Sequence, residues 1–319
     1  MRVFLAGATG ALGSRLVPLL KEHGHTVVGT TRSPEKVGLL RELGAEPVVV
    51  DALDATAIGE EVARAEPDVI VHQLTALSNF TDLRKFDAAF APTNRLRTEG
   101  TDNLIAAARA ARVEWFVAQS YAGWTYAREG GPPATEDDSP DADPPSELRR
   151  TQEAIRYLER AVLAIEGIVL RYGAFYGPGT SLDHDGVQTE AVRKRQFPLV
   201  GDGRGAWSFI HVDDAAAATL AAIEHGRPGI YNVVDDDPAP VREWLPYLAE
   251  VAGAKPPRRV PTWLAKRFVG EHGVAMMTQA RGASNAKAKR ELGWRPQYAS
   301  WRDGFRAVLQ QEAPRARAA

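Results

Sequence analysis

Three glycines spaced three residues apart, in Gly7-Ala8-Thr9-Gly10-Ala11-Leu12-Gly13, follow a short strand-like run and precede an amphipathic stretch. Glycine lets a backbone approach a pyrophosphate closely, and the first turn of a helix offers unpaired N–H groups and a dipole that favours anions. The spacing therefore predicts a dinucleotide cradle built from Gly7, Thr9, Gly10, Ala11, Leu12 and Gly13. At the end of the second strand-like run, where a carboxylate would hold a ribose 2′-hydroxyl, the chain reads Thr30-Thr31-Arg32-Ser33. Nothing there repels a 2′-phosphate and Arg32 could pair with one, with Thr31 beside it, so NADP is favoured and NAD stays open. Asp51, Ala52 and Leu53 end the third run and are placed to flank the adenine; Leu74, Thr75, Ala76 and Gln119, closing the fourth and fifth runs, complete the expected cofactor contacts.

The fifth run ends Gln119-Ser120-Tyr121-Ala122-Gly123-Trp124. Ligands of doubly wound sheets bind at the carboxyl ends of the strands, so the Ser120 or Tyr121 hydroxyl could deliver a proton to a developing alkoxide. A tyrosine with no cation beside it keeps a pKa near its ordinary ~10 and suits an acid better than a base. Trp124 and Trp207 offer stacking area and, with residues 182–197, are the expected substrate contacts. Asp183-His184-Asp185 lies in a glycine-rich connection with no second histidine nearby, and there are no cysteines, so no metal site is expected.

These groups need elements to hold them. The first half alternates strand-like runs (RVFLAG, TVVGTT, EPVVVD, DVIVHQL, EWFVAQS) with helical patterns, which argues for βαβ units and a parallel sheet. A loop rich in Gly, Pro and acidic residues follows Ser120, then a helical stretch over 145–167, a sixth strand GIVLRYG and, later, GIYNVV. The reading is an α/β fold, a doubly wound parallel sheet of the Rossmann kind with a smaller C-terminal substrate lobe. Residues 1–175, with 206–234 returning, form the dinucleotide-binding core; 176–205 and 235–319 form the lobe. A net charge of −2 without a long basic run argues against nucleic acid or an anionic membrane as partner. A small-molecule substrate and a cytoplasmic location are expected.

Together these residues resemble the extended short-chain dehydrogenase/reductase family, also called the NAD-dependent epimerase/dehydratase family. Beyond the glycine pattern, the supports are Gly100-Thr101-Asp102-Asn103-Leu104, Leu170-Arg171 with Tyr176-Gly177-Pro178-Gly179, Phe209-Ile210-His211-Val212-Asp213-Asp214, Tyr231-Asn232-Val233 and Glu291-Leu292-Gly293-Trp294. The resemblance implies that Tyr172 and Phe175 line the nicotinamide pocket, that Tyr121 falls in a slot for a substrate-binding hydroxyl, and it leaves a homodimer open. It also implies a tyrosine, and a lysine four residues later, on the helix after the fifth strand. Here those slots hold Glu147 and Thr151, or Thr151 and Ile155, and no lysine occurs between Lys85 and Lys194. An asparagine usual three residues before the Gly-Thr pair is replaced by Arg97, and the arginine that grips a sugar-nucleotide diphosphate falls where the chain reads Ala206-Trp207-Ser208. Such losses resemble the atypical branch of the family. Three functions stay open: an NAD(P)-dependent oxidoreductase acting on a small carbonyl or alcohol, a sugar-nucleotide epimerase or dehydratase, and a non-catalytic NADP(H) sensor.

Overall fold

The computed structural model describes residues 1–77, 83–123 and 125–310. Seven strands form one sheet: β1 (Arg2–Ala6), β2 (Thr26–Thr31), β3 (Glu46–Val49), β4 (Val69–His72), β5 (Trp115–Tyr121), β6 (Ile168–Tyr172), and a last strand, Gly229–Val233, numbered β11 below. Every pairing in it is parallel, and the order is β11-β6-β5-β4-β1-β2-β3. Parallel sheets are covered on both faces, which explains why strands such as Val69-Ile70-Val71-His72 are buried at every position.

Helices α1 (Ala11–Glu22), α2 (Val37–Glu42), α3 (Ala55–Ala65), α4 (Phe86–Arg95), α5 (Thr101–Ala111) and α6 (Arg149–Leu163) make the crossovers. On one face α1 buries Leu12, Leu16, Val17 and Leu20 against Val3, Leu5 and Val117. On the other, α3, α5 and α6 bury Ile58, Val62, Leu104, Leu158 and Val162 against Phe4, Ile70 and Phe116. Gly24 and Gly44, just past α1 and α2, carry φ of +79° and +96°, the left-handed backbone that stops a helix cheaply when the residue lacks a Cβ. The helical run ahead of β5 begins at Phe86 and is joined to α5 through a π-helical segment, Leu96–Gly100. Its first turns lack a strong apolar period, so their helicity was not legible from pattern alone.

Beyond β6 come short strands β7 (Ala174–Tyr176), β8 (Leu199–Val200), β9 (Ala206–Trp207) and β10 (Phe209–His211), with α7 (Val187–Arg193) among them. Then α8 (Val212–His225) packs beside α1 and leads into β11. There follow β12 (Ala239–Pro240), α9 (Val241–Val251), β13 (Arg259–Val260), α10 (Thr262–Thr278), α11 (Ala286–Glu291) and α12 (Trp301–Leu309). A second apolar cluster, with Trp244, Phe209, Trp301 and Phe305 at its centre, binds α9 and α12 to the short strands. Ala288, Leu292 and Trp294 pack instead into the cluster under the main sheet. Among the described residues no helix is long and apolar enough to cross a membrane.

Candidate active site

The strand order reverses direction between β1 and β4, so the crevice of a doubly wound sheet opens at the carboxyl ends of these two strands. The glycine turn lies there. Gly7 has φ +99°, and a Cβ on it would stand 2.8 Å from the Gln73 carbonyl oxygen. A Cβ on Gly13 would stand 2.4 Å from the Gly7 carbonyl oxygen and 2.7 Å from Ala8 Cα. Both distances are closer than any side chain tolerates, so the turn exists in this form only with glycine.

Gly10 caps α1 with extended backbone and no side-chain hydrogen bond, and no acidic residue lies in the first turn. The leading N–H groups of α1 therefore face the crevice with an uncompensated positive dipole end. Gly179, φ +80°, brings the segment after β7 to the same helix end, where its Cβ would stand 3.8 Å from that of Ala11. This cradle fits a dinucleotide pyrophosphate.

Around the cradle the other expected cofactor residues are distributed as follows. Thr31 is buried, its hydroxyl accepting the Ser33 N–H at 3.1 Å, while Arg32 is exposed and its guanidinium has no partner among the described residues. Asp51 accepts the Leu53 N–H at 3.0 Å, and the Ala52 carbonyl is held by Asn103 Nδ2 at 2.9 Å, which fixes the turn after β3. Leu74, Thr75, Ala76 and Gln119 are half-buried at strand ends, with the Ala76 N–H donated to Thr93 Oγ1 at 3.0 Å.

Tyr172, expected to line the nicotinamide pocket, is buried. On β6 it shares a face with Leu170, and its ring lies in the cluster beneath α8, 1% exposed. Its hydroxyl is paired with Thr219 Oγ1 at 2.7 Å and accepts from Gln73 Nε2 at 3.2 Å. Strand alternation aims it inward. Phe175 is half-buried, its ring 5.3 Å from that of Tyr172.

Alternation also separates the two hydroxyls proposed for proton delivery. Phe116, Ala118 and Ser120 share the face covered by α6, and Ser120, 3% exposed, donates to Glu159 Oε1 at 2.6 Å. Glu159 is gripped in turn by Arg171 through Nε at 2.7 Å and Nη2 at 2.6 Å. Arg171 Nη1 donates to Tyr126 Oη at 3.0 Å, and Tyr126 donates to Asn232 Oδ1 at 2.5 Å. Ser120 is thus the end of a buried network, and its register partner on β6 is Arg171.

Tyr121 lies on the opposite face and is half-buried. Its ring crosses the backbone of Gly123, where a Cβ would come within 2.5 Å of Oη. Burial pushes its phenol up to about 12, so it stays protonated throughout the neutral range.

Trp207 is half-buried, with its indole N–H donated to the Met276 carbonyl at 2.9 Å and its ring 4.8 Å from that of Trp244. It packs against the second apolar cluster. Beside it a cavity of about 470 Å³ is lined by Arg128, Arg204, Ala206, Gln279 and Arg281. The cavity shares Arg128, Gln279 and Arg281 with a narrow gap that reaches Ala122, Gly123 and Tyr126 at the end of β5. Trp124 lies outside the described residues.

Where the family resemblance implies a tyrosine and a lysine, Thr151 Oγ1 donates to Asp87 Oδ1 at 2.6 Å and accepts from Asn94 Nδ2 at 3.0 Å. Ile155 is buried in the helix interface, and Glu147 accepts the Glu271 N–H at 3.0 Å. In Asp183-His184-Asp185, Asp183 is half-buried and the other two are exposed, His184 pairing with Asp185 at 2.8 Å. The residues that sequence reasoning missed are Glu159, Arg171 and Asn232. The signal for them was a charged pair at apolar-periodic or strand-interior positions, Glu159 on α6 and Arg171 within β6.

With this geometry in place, comparison with known proteins gives the lineage. Residues 3–233 match the model of the NAD dependent epimerase/dehydratase family, and the chain belongs to that family. It is 45% identical over 310 residues to a 3-diazoavenalumate denitrifying reductase from a Streptomyces species, covering 96% of this chain and 99% of that one. It is 27% identical to a ketoreductase from Stigmatella aurantiaca, over 92% of each chain. Among solved structures it resembles Thermus thermophilus UDP-glucose 4-epimerase in complex with NAD, with a TM-score of 0.73 at 25% identity over 97% of this chain and 98% of that one.

Proposed function

We propose that this chain is an NADP(H)-dependent reductase that passes hydride to a small organic acceptor without the tyrosine and lysine pair of its family. The observation that carries the reading is an intact dinucleotide cradle beside a helix that has lost both groups, in a chain 45% identical to a named reductase over nearly its whole length. Arg32, exposed and unpaired at the end of β2, favours the 2′-phosphate of NADP.

The reduced nicotinamide, when bound, supplies the hydride. The Gly7–Gly13 turn and the first N–H groups of α1 hold the pyrophosphate, and the ends of β4 and β5 present the acceptor. For a carbonyl acceptor the oxygen also needs a proton. In this reading Tyr121 gives it, supported by a phenol that burial keeps protonated up to about 12.

A second acceptor class is favoured by a specific observation: Ser120 is consumed by Glu159, and α6 carries no lysine. Such a site suits an acceptor that needs no proton. An arenediazonium ion is one: hydride forms a C–H bond, the C–N bond breaks with its electron pair leaving on nitrogen, and the products are the arene and N₂. The 45% relative, a denitrifying reductase of a diazo acid, supports this class.

Purified protein with NADPH or NADH, ketones, β-keto acids and arenediazonium salts tests both. Oxidation of NADPH matched by reduced product or released N₂ supports the reading. Stoichiometric cofactor binding without turnover of any acceptor sinks it.

A further inference from the structure

The helical run from Phe86 to Ala111 is broken by the π-helical segment Leu96–Gly100, and such wide turns recur at functional sites. Arg97 lies in it and is 8% exposed. A guanidinium carries five N–H donors. Among the described residues this one makes a single hydrogen bond, from Nη1 to Asn94 Oδ1 at 3.4 Å. The nearest carboxylate on α6, Glu159, already has both oxygens claimed by Ser120 and Arg171. Its other contact is the face of the Phe90 ring, 6.0 Å from Cζ, which takes none of the remaining N–H donors, and buried polar groups are normally satisfied.

Its surroundings point to what completes it. Asn94 joins Arg97 to Thr151 and so to Asp87, where α4 meets the first turn of α6. Thr93, next to Asn94, accepts the N–H of Ala76 from the connection after β4. His72, the last residue of β4, is within 3.2 Å of the Leu96 carbonyl oxygen. Arg97 therefore stands at the carboxyl end of β4, where the crevice opens, between the β4 connection and a helix that carries no lysine.

We propose that Arg97 is a cofactor-holding residue whose guanidinium donates to the hydroxyls of the nicotinamide ribose, so that the cation of this site comes from the π-helical turn and not from α6. The proposal rests on the dinucleotide reading above. Ribose hydroxyls supply acceptors that the protein itself leaves missing, and the fixed positive charge lies beside the reacting ring. Asn94, held by Thr151, orients the guanidinium.

NADPH titration of the full-length protein, read by cofactor fluorescence, tests it. Arg97→Met, folded by circular dichroism, is expected to weaken NADPH binding by about ten- to a hundred-fold, the loss of one or two charge-assisted hydrogen bonds. Arg97→Lys, which keeps the charge, is expected to recover most of that loss. A folded Arg97→Met protein that binds NADPH as the wild type does overturns the proposal and leaves the reductase reading standing. A wild-type protein that binds neither NADPH nor NADH overturns both. If Arg97→Met does not fold, a structure of the wild-type protein with NADP decides: a guanidinium nitrogen in hydrogen-bond contact with a ribose oxygen supports the role, and separation by an intervening protein side chain contradicts it.

Discussion

Tyr121 and Ser120 are adjacent in sequence and face opposite sides of the sheet, so they cannot share one job. If Tyr121 delivers the proton, Tyr121→Phe should cut kcat for ketones by about a hundred-fold or more. It should leave hydride transfer to a diazonium acceptor unchanged, and a steady-state comparison of the two acceptors reads the difference. The pH profile follows from burial. A phenol raised to about 12 remains an acid well beyond the ordinary tyrosine value, so ketone reduction should show no loss from this group between pH 6 and 10. Arg32→Ala should raise KM for NADPH about ten-fold or more while leaving KM for NADH little changed, since only the 2′-phosphate contact is lost. The glycine spacing was legible because close backbone approach is a property of the residue itself. The fate of Ser120 was not, because it is decided by Glu159, 39 residues away.

At the scale of elements, the helix after β5 is tied into the fold at both its first turn and its middle. Its first turn is held by Asp87 of α4, which accepts the N–H groups of Arg150 at 2.9 Å and Thr151 at 2.8 Å. Its middle contributes Glu159 to the network under β5 and β6. Removing that carboxylate would leave Arg171 buried and unpaired, so Glu159→Gln should cost about 3–5 kcal/mol of unfolding free energy, measured by denaturant titration. In the cradle, Gly13→Val should abolish cofactor binding through collision with the Gly7 carbonyl and Ala8, detected as loss of NADPH-induced thermal stabilisation. The strands were legible from their β-branched runs. Which face each side chain would take, and hence that Tyr172 enters the core, depended on registers such as Tyr121 opposite Tyr172 that no local pattern specifies.

For the whole molecule, burial of histidines near the crevice ties stability to acid. Burial lowers His72 to about 4, against the hydrogen bond to the Leu96 carbonyl and aided by the Arg97 charge. Burial lowers His272, packed edge-on against Phe86, to about 4 as well. Each contribution is fully present above the unfolded value near 6.5 and is lost as pH falls through that window towards 4, because only the unfolded chain takes up the proton. His72 alone should remove about 3 kcal/mol across this window. Denaturant titrations at pH 7 and pH 4.5, repeated on His72→Gln, should show a smaller acid loss in the variant. The doubly wound sheet was legible from the alternation of strand-like and helical runs. The second apolar cluster was less so, because Trp244, Phe209 and Trp301 come together from segments that no periodicity links.

The central claim is that hydride leaves NADPH for an organic acceptor in a site without the tyrosine and lysine pair. Its most direct test is turnover with NADPH deuterated at the transferable position of the ring, with the product of a ketone or an arenediazonium acceptor analysed by mass spectrometry. One deuterium on the reduced carbon and a slower rate than with unlabelled NADPH are expected. Tight NADPH binding with no deuterium in any product would contradict it.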